Sequence, residues 1–435
     1  MNKILVLVFF IYSQFICFSQ GSWESIDVPT QQNLRSVHFA DSLTGWAVGD
    51  SGVIIHTFDS GESWTIQQSN TENDIVDVFF LNNSLGWASS INYTNYPYGT
   101  LLLKTTNGGV DWITEHYPEQ NIFMNCILFL DSLNGWMGGN PHALVKTNDG
   151  GINWHQADID TSNLAFFPVL SIQFYDDQYG YACGGMFDIA GVTWRTSNGG
   201  AKWYAIDGAD APADEVHGLH IFDSLNVIGA GGDPDFAYGA AVIRTADGGI
   251  NWEYEEIGIQ GNAFDIDFVN ELEAWAPMGP QRKFIYSMDA GSTWTDIPTP
   301  DLTVIYDVMF PDSLHGFAVG DDGAMLKYTP ADPVNVNSIN ALQEVVTLHQ
   351  NTPNPFNGST TISFEIPQDF KNNSSLTIEV FNISGNEVAV LNHEKNLTGK
   401  GSVIFNASNL PNGIYYYQLS IGNIAIATKR MVLIH

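Results

Sequence analysis

VHFADSLTGWAVGDSGVIIHTFDSGESW at residues 37–64 and ILFLDSLNGWMGGNPHALVKTNDGGINW at residues 127–154 are one unit written twice. Each reads as an alternating apolar strand, an Asp-Ser turn, a Gly-Trp strand, a loop, a third strand ending in His/Lys-Thr, and a Gly-rich turn closing on Trp. Outward from these copies, the aromatic of the second strand recurs as Trp46, Trp87, Trp136, Tyr181, Trp275 and Phe317, with Ile228 as a divergent fifth member. Seven units at intervals of 41 to 49 residues predict radial repetition of one small sheet, each burying its faces against its neighbours.

The closing turn reads FDSGESW, TNGGVDW, NDGGINW, SNGGAKW, ADGGINW and MDAGSTW, with Asp59, Asn107, Asp149, Asn198, Asp247 and Asp289 at one position. A carboxylate or amide there accepts backbone N–H bonds, glycine allows positive φ, and Trp plugs the turn. These six residues are therefore structural. There are six copies for seven units, and Trp23 near the start has no unit of its own. A strand carrying Trp23 completes the last unit and leaves no sheet edge open. The expectation is a seven-bladed β-propeller closed by an N-terminal strand.

The turn resembles the Asp-box of sialidase-type repeats, and the whole unit resembles the propeller repeat of photosystem II stability and assembly factors over about residues 22–329. The resemblance implies that the six turns lie on the face opposite the binding funnel.

Length and charge bound the rest. A chain of 435 residues exceeds the roughly 250–300 at which a single core stops growing. Its formal charge of -33 repels phosphate backbones, so nucleic-acid binding is disfavoured. Residues 331–435 contribute -2 of it, and the acidity belongs to the repeats. Lys3 followed by the apolar run Ile4–Phe18 predicts a signal peptide over residues 1–19, with no transmembrane anchor after its cleavage. Lipidation of Cys17 is the alternative. Cys126 and Cys183 remain; each lies in an apolar strand, which favours two buried free thiols over a bridge.

The repeats are expected over residues 20–330, followed by a Pro/Asn-rich linker at 331–346 and a separate domain at 347–435. That domain shows alternating strands between Ser-Gly and Pro-Asn-Gly turns, the pattern of a small Ig-like β-sandwich. LHQNTPNPFNGSTTISFEIP (348–367), LTIEVFNISGNEVAVL (376–391), NLPNGIYYYQL (409–419) and ATKRMVLI (427–434) resemble the type A C-terminal sorting domain of the type IX secretion system. Asn351, Pro353, Asn354, Pro355 and Phe356 form the sorting motif, with Phe356 as its anchor. The resemblance implies that the type IX machinery is a partner and that the domain is removed at the outer membrane. It also implies release or surface attachment, in a Gram-negative bacterium.

Function is expected on the top-face loops. Three are long and carry Tyr93, Tyr96, Tyr98, Phe187, Phe236 and Tyr238, rings suited to stacking on sugars or anchoring a protein. They equally suit packing on one another. Arg35 and Arg282 are candidates at the funnel. Asp77, Asp265 and Asp307 occupy equivalent places on first strands, so a cation such as Ca²⁺ at the axis is one reading and simple narrowing of the channel the other. The repeated Asp-Ser-Leu at 41–43, 131–133, 223–225 and 312–314 suits the first turn of a blade.

A sialidase needs three arginines on its substrate, and Arg195 and Arg244 stand where other units carry Lys104, Lys146 and Lys327. The expectation is a secreted, non-catalytic propeller, without cofactor, that binds an extracellular protein or glycan. The alternative is a secreted glycoside hydrolase on the same scaffold. Photosystem partners do not suit a chain with this export tag.

Overall fold

A computed structural model of the protein describes residues 20–160, 166–186, 189–206, 215–233, 239–331, 347–366, 376–382, 387–392, 399–421 and 424–434. Residues 1–19, expected as a signal peptide, all but the first residue of the expected linker, and Phe187, Phe236 and Tyr238 lie outside them. The chain divides into two compact units, Met1–Ala331 and Asp332–His435.

The first unit holds seven antiparallel four-stranded sheets. Blade 1 is Leu34–Phe39, Gly45–Gly49, Ile54–Thr57 and Thr65–Gln67, and blades 2 to 6 repeat that order. Each innermost strand touches the innermost strands of both neighbouring blades, and Ile305–Asp312 of blade 7 touches Leu34–Phe39 of blade 1. The sheets therefore form a closed ring. The fourth strand of blade 7 is Ser22–Ser25, paired with Met325–Thr329 so that Trp23 faces Tyr328. This is the closure expected from the orphan tryptophan.

Aromatic sandwiches join the blades. Trp46 stacks on Phe80 of the next blade with centroids 3.4 Å apart, Trp87 on Phe129 at 3.6 Å, and Phe317 on Phe39 across the seam at 4.3 Å. The closing-turn tryptophan meets the middle ring edge-on, as Trp112 meets Phe80 at 5.7 Å and Trp154 meets Phe129 at 6.0 Å. Such geometry aligns the positive edge of one ring with the face of another and adds roughly 0.5–1.5 kcal/mol per pair beyond burial. Trp23 takes the same role in blade 7, 5.6 Å from Phe310 and 5.8 Å from Trp275. Buried Glu273 secures the seam, accepting from Trp275 Nε1 at 2.9 Å, Tyr328 Oη at 2.7 Å and the Gly21 N–H at 3.3 Å. A side chain at Gly21 would collide with the Tyr328 ring, so glycine is required there.

The second unit is a sandwich of a three-stranded and a four-stranded sheet around Phe356, Phe364, Ile378, Tyr417 and Met431. Phe356 is buried and zips onto the last strand: its N–H donates to Val432 O at 2.9 Å and its carbonyl accepts from Ile434 at 2.9 Å. Asn354 Oδ1 accepts from Val432 N–H at 2.9 Å, and buried Asn351 donates from Nδ2 to Pro353 O at 3.0 Å. The two prolines fit because this segment meets the sheets through side chains and two isolated bridges, Thr352 with Thr361 and Phe356 with Leu433, rather than through a full ladder.

Candidate functional site

Six of the seven innermost strands depart from strict alternation at the same place. Pairing with the second strand skips one residue between Leu34 and Ser36, Ile75 and Asp77, Met124 and Cys126, Val169 and Ser171, Val216 and Gly218, and Ile305 and Asp307. A bulge re-aims the side chain it carries. Arg35, Val76, Asn125, Leu170, His217 and Tyr306 occupy it, and Phe264 stands at the matching position of blade 6. Each is at least partly exposed while the residue before it is buried. By strand direction these side chains ring the channel mouth, on the face of the loops joining second and third strands.

Half of this ring is a continuous arc. His217 and Phe264 lie 5.2 Å apart, Phe264 meets Tyr306 edge-on at 5.1 Å, and Tyr306 Oη donates to Asp321 at 3.5 Å. Next in the ring is Arg35, bonded to both oxygens of Asp50 at 2.7 and 3.1 Å. Arg35, a candidate at the funnel, thus stands in the ring, held by a carboxylate that raises its pKa, with burial opposing. Asn262 is buried beside the arc, its Nδ2 2.9 Å from His217 Nε2, and its Oδ1 has no partner among the described residues.

The tyrosine loop of blade 2 stands on the same face. Buried Asn92 organises it, donating from Nδ2 to Asn95 O at 2.8 Å and Pro97 O at 2.9 Å while Oδ1 accepts from Asn95 N–H at 3.1 Å. The amide, not mutual packing of rings, secures the turn. Tyr96 stays 75% exposed with its hydroxyl 3.0 Å from Gln120 Nε2, and Tyr98 is exposed. Tyr93, 64% exposed, stacks on Phe123 at 4.8 Å. Arg282 is exposed in the matching turn of blade 6.

One residue deeper lie the axial carboxylates, each bonded to the backbone of the next blade. Asp77 Oδ2 accepts from Ile127 N–H of the next blade at 2.7 Å, Asp307 from Val37 N–H at 2.7 Å, and Asp265 from Val308 N–H at 3.2 Å. They stitch neighbouring blades together at the amide that follows each bulge. Asp265 and Asp307 also hydrogen-bond to one another. Burial pushes Asp77 and Asp265 up to about 6 and Asp307 well above the usual carboxylate range, with the Asp265 charge adding to Asp307. Shared protons and backbone donors thus relieve the repulsion. Among the described residues no three His, Cys, Asp or Glu side chains meet as a metal site. Cys126 and Cys183 are buried free thiols.

The opposite face is uniform. In all six closing turns the Asp or Asn Oδ1 accepts from the fourth N–H onward at 2.8–3.0 Å. A Thr or Ser two residues earlier donates to it at 2.8–3.0 Å. The same hydroxyl accepts from the glycine N–H. These bonds hold Asp149 and Asp247 down to about 2. The Asp-Ser-Leu turns behave alike, Asp41 accepting from Leu43 and Thr44 at 2.9 and 2.7 Å. Saturated acceptors leave nothing for chemistry.

The bulge row and Asn262 escape an alternation reading. The signal was apolar spacing of three then two, as in Leu34, Val37, Phe39 and Met124, Ile127, Phe129.

Residues 352–434 match the secretion system C-terminal sorting domain, and residues 17–121 match photosynthesis system II assembly factor YCF48. The photosystem II assembly lipoprotein Ycf48 of Synechococcus sp. (strain CC9902) is 24% identical over 71% of this chain and 89% of that protein. The photosystem II stability/assembly factor HCF136 of Arabidopsis thaliana is 21% identical over 71% of this chain and 79% of its own length. A solved structure of YCF48 bound to D1 peptide superposes with a TM-score of 0.56 at 21% identity, over 71% of this chain and 97% of that one. The first unit thus shares the fold of these Ycf48 proteins and is similar to them in sequence, and residues 352–434 match a secretion sorting domain.

Proposed function

We propose that this chain is exported by the type IX secretion system and works outside the cell or on its surface as a non-catalytic binding propeller. Its channel mouth takes an extended peptide or glycan strand. The observation that carries this reading is the bulge row, which in six blades turns one side chain toward a common opening, with Phe264 at the matching place in blade 6. Rings about 5 Å apart from His217 to Tyr306 offer stacking faces, and the unpartnered Asn262 Oδ1 offers an acceptor that costs free energy until a donor reaches it. The YCF48 structure with a D1 peptide supports a peptide over other ligands, although the partner here must be extracellular. The match to a sorting domain supports the export route.

At the axis, Asp265 and Asp307 each accept an N–H of the next blade and bond to one another, so this pair is not placed to flank a sugar as the two carboxyls of a glycoside hydrolase are. The test is a binding screen of the full chain against extracellular peptides and glycans. Phe264→Ala is expected to weaken the ligand found by about tenfold, which is roughly 1.4 kcal/mol. Cleavage of any polysaccharide would replace this reading. Deleting residues 347–435 is expected to leave the protein in the periplasm by cell fractionation.

A further inference from the structure

Six blades fill the space beneath their second strand with a ring: Trp46, Trp87, Trp136, Tyr181, Trp275 and Phe317 are all buried. Blade 5 has Ile228 there. The surroundings that hold a ring are nonetheless kept. In blades 2 and 3 a cation from the third strand covers the indole, Lys104 Nζ at 5.5 Å from Trp87 and Lys146 Nζ at 4.9 Å from Trp136. Arg244 is their counterpart, paired across the sheet with Ile228. Its guanidinium is fixed by donating to Ala290 O at 3.3 Å and to Gly291 O in the blade 6 turn. Phe268, the residue that would meet a ring from blade 5, is met edge-on by Phe222 at 4.8 Å.

Where the ring is missing a cavity of about 400 Å³ opens at the base of blade 5, lined in part by Phe222, Ile228, Arg244, Asp247, Asn251 and Glu253. Its size falls in the range of small-ligand pockets, with apolar walls and an arginine placed to lie over a π face. We infer that this cavity is a binding site for a flat aromatic group, an indole or phenol side chain of a partner, which takes the place of the ring that blade 5 lacks. Asp247 and Glu253 at its rim favour a neutral or cationic bearer over an anionic one. The site is at the base of the ring and is separate from the mouth.

The test titrates the full-length protein with N-acetyl-tryptophanamide and with N-acetyl-tryptophan, read by saturation-transfer NMR. Saturable binding of the amide, at least threefold tighter than that of the carboxylate, is expected. Ile228→Trp fills the cavity from within and is expected to abolish the signal while melting higher by roughly 2–4 °C. Should that variant fail to fold, Phe222→Ala must weaken the amide at least fivefold. No saturable binding by the native protein, undiminished binding by Ile228→Trp, or undiminished binding by Phe222→Ala overturns the proposal.

Discussion

At the base of the ring, six turns repeat one pattern of hydroxyl, carboxylate or amide, and fourth N–H. At the mouth, seven matching positions carry Arg35, Val76, Asn125, Leu170, His217, Phe264 and Tyr306, no residue type twice. Both ends are built from the same strands, so the contrast is one of constraint. A turn that must saturate its own backbone donors accepts few solutions. A bulge imposes only a direction on its side chain and leaves the chemistry open. Within one repeat protein, sameness between units therefore marks the scaffold and difference marks the surface available for recognition.

The sharpest break of that contrast comes at the seam, which belongs to the scaffold. Trp23→Ala should lose about 3 kcal/mol of stability by urea denaturation, because its ring lies among Trp275, Phe284, Phe310 and Tyr328. A loss under 1 kcal/mol would mean the strand is ornamental to closure. Next in size is a pH effect of opposite sign at the two levels. The axial acids have raised pKa values, so they favour the folded state below about pH 4 and that contribution is lost as pH rises to about 6 and beyond. Asp149 and Asp247, held down to about 2, contribute above about pH 4 and lose it as pH falls toward 2. Asp307→Asn keeps an acceptor for Val37 and should reduce the fall in stability between pH 4.5 and 7.5 by on the order of 1–2 kcal/mol; equal slopes would remove the carboxyl pair from the account.

Thr147→Val isolates a single base turn. It removes the hydroxyl that bonds Asp149 and the Gly151 N–H and should cost about 1 kcal/mol with no change in ligand binding. Tyr96→Ala at the mouth should do the reverse. Stability is expected within about 0.5 kcal/mol of the native protein, with ligand binding weakened, and a large stability loss would place Tyr96 in the scaffold instead.

Closure by Trp23, the six closing turns and the break at Ile228 were legible because each is a departure from, or a copy of, a periodic pattern. The sandwich and its sorting motif were legible from segment order, and Phe356 proved to be buried against the last strand. The mouth was legible only in part. The tyrosine loop stood out by length, whereas Phe264, His217 and Tyr306 sat inside apolar strands and looked like core. The axial acids stood out by their equivalent places on first strands, whereas their partners, amides of the next blade, did not.

The amino-acid order by itself determined the number of blades, the strand that closes them and the self-satisfied turns, since each shows as a copy of, or a gap in, a pattern repeated at a fixed interval. Only the folded ring decided what faces its opening and how the buried acids are neutralised. Asp307 reaches Val37 across 270 positions of chain and Asp77 reaches Ile127 across 50. A partner supplied by a neighbouring sheet is fixed by how the sheets dock, and no local spacing encodes it.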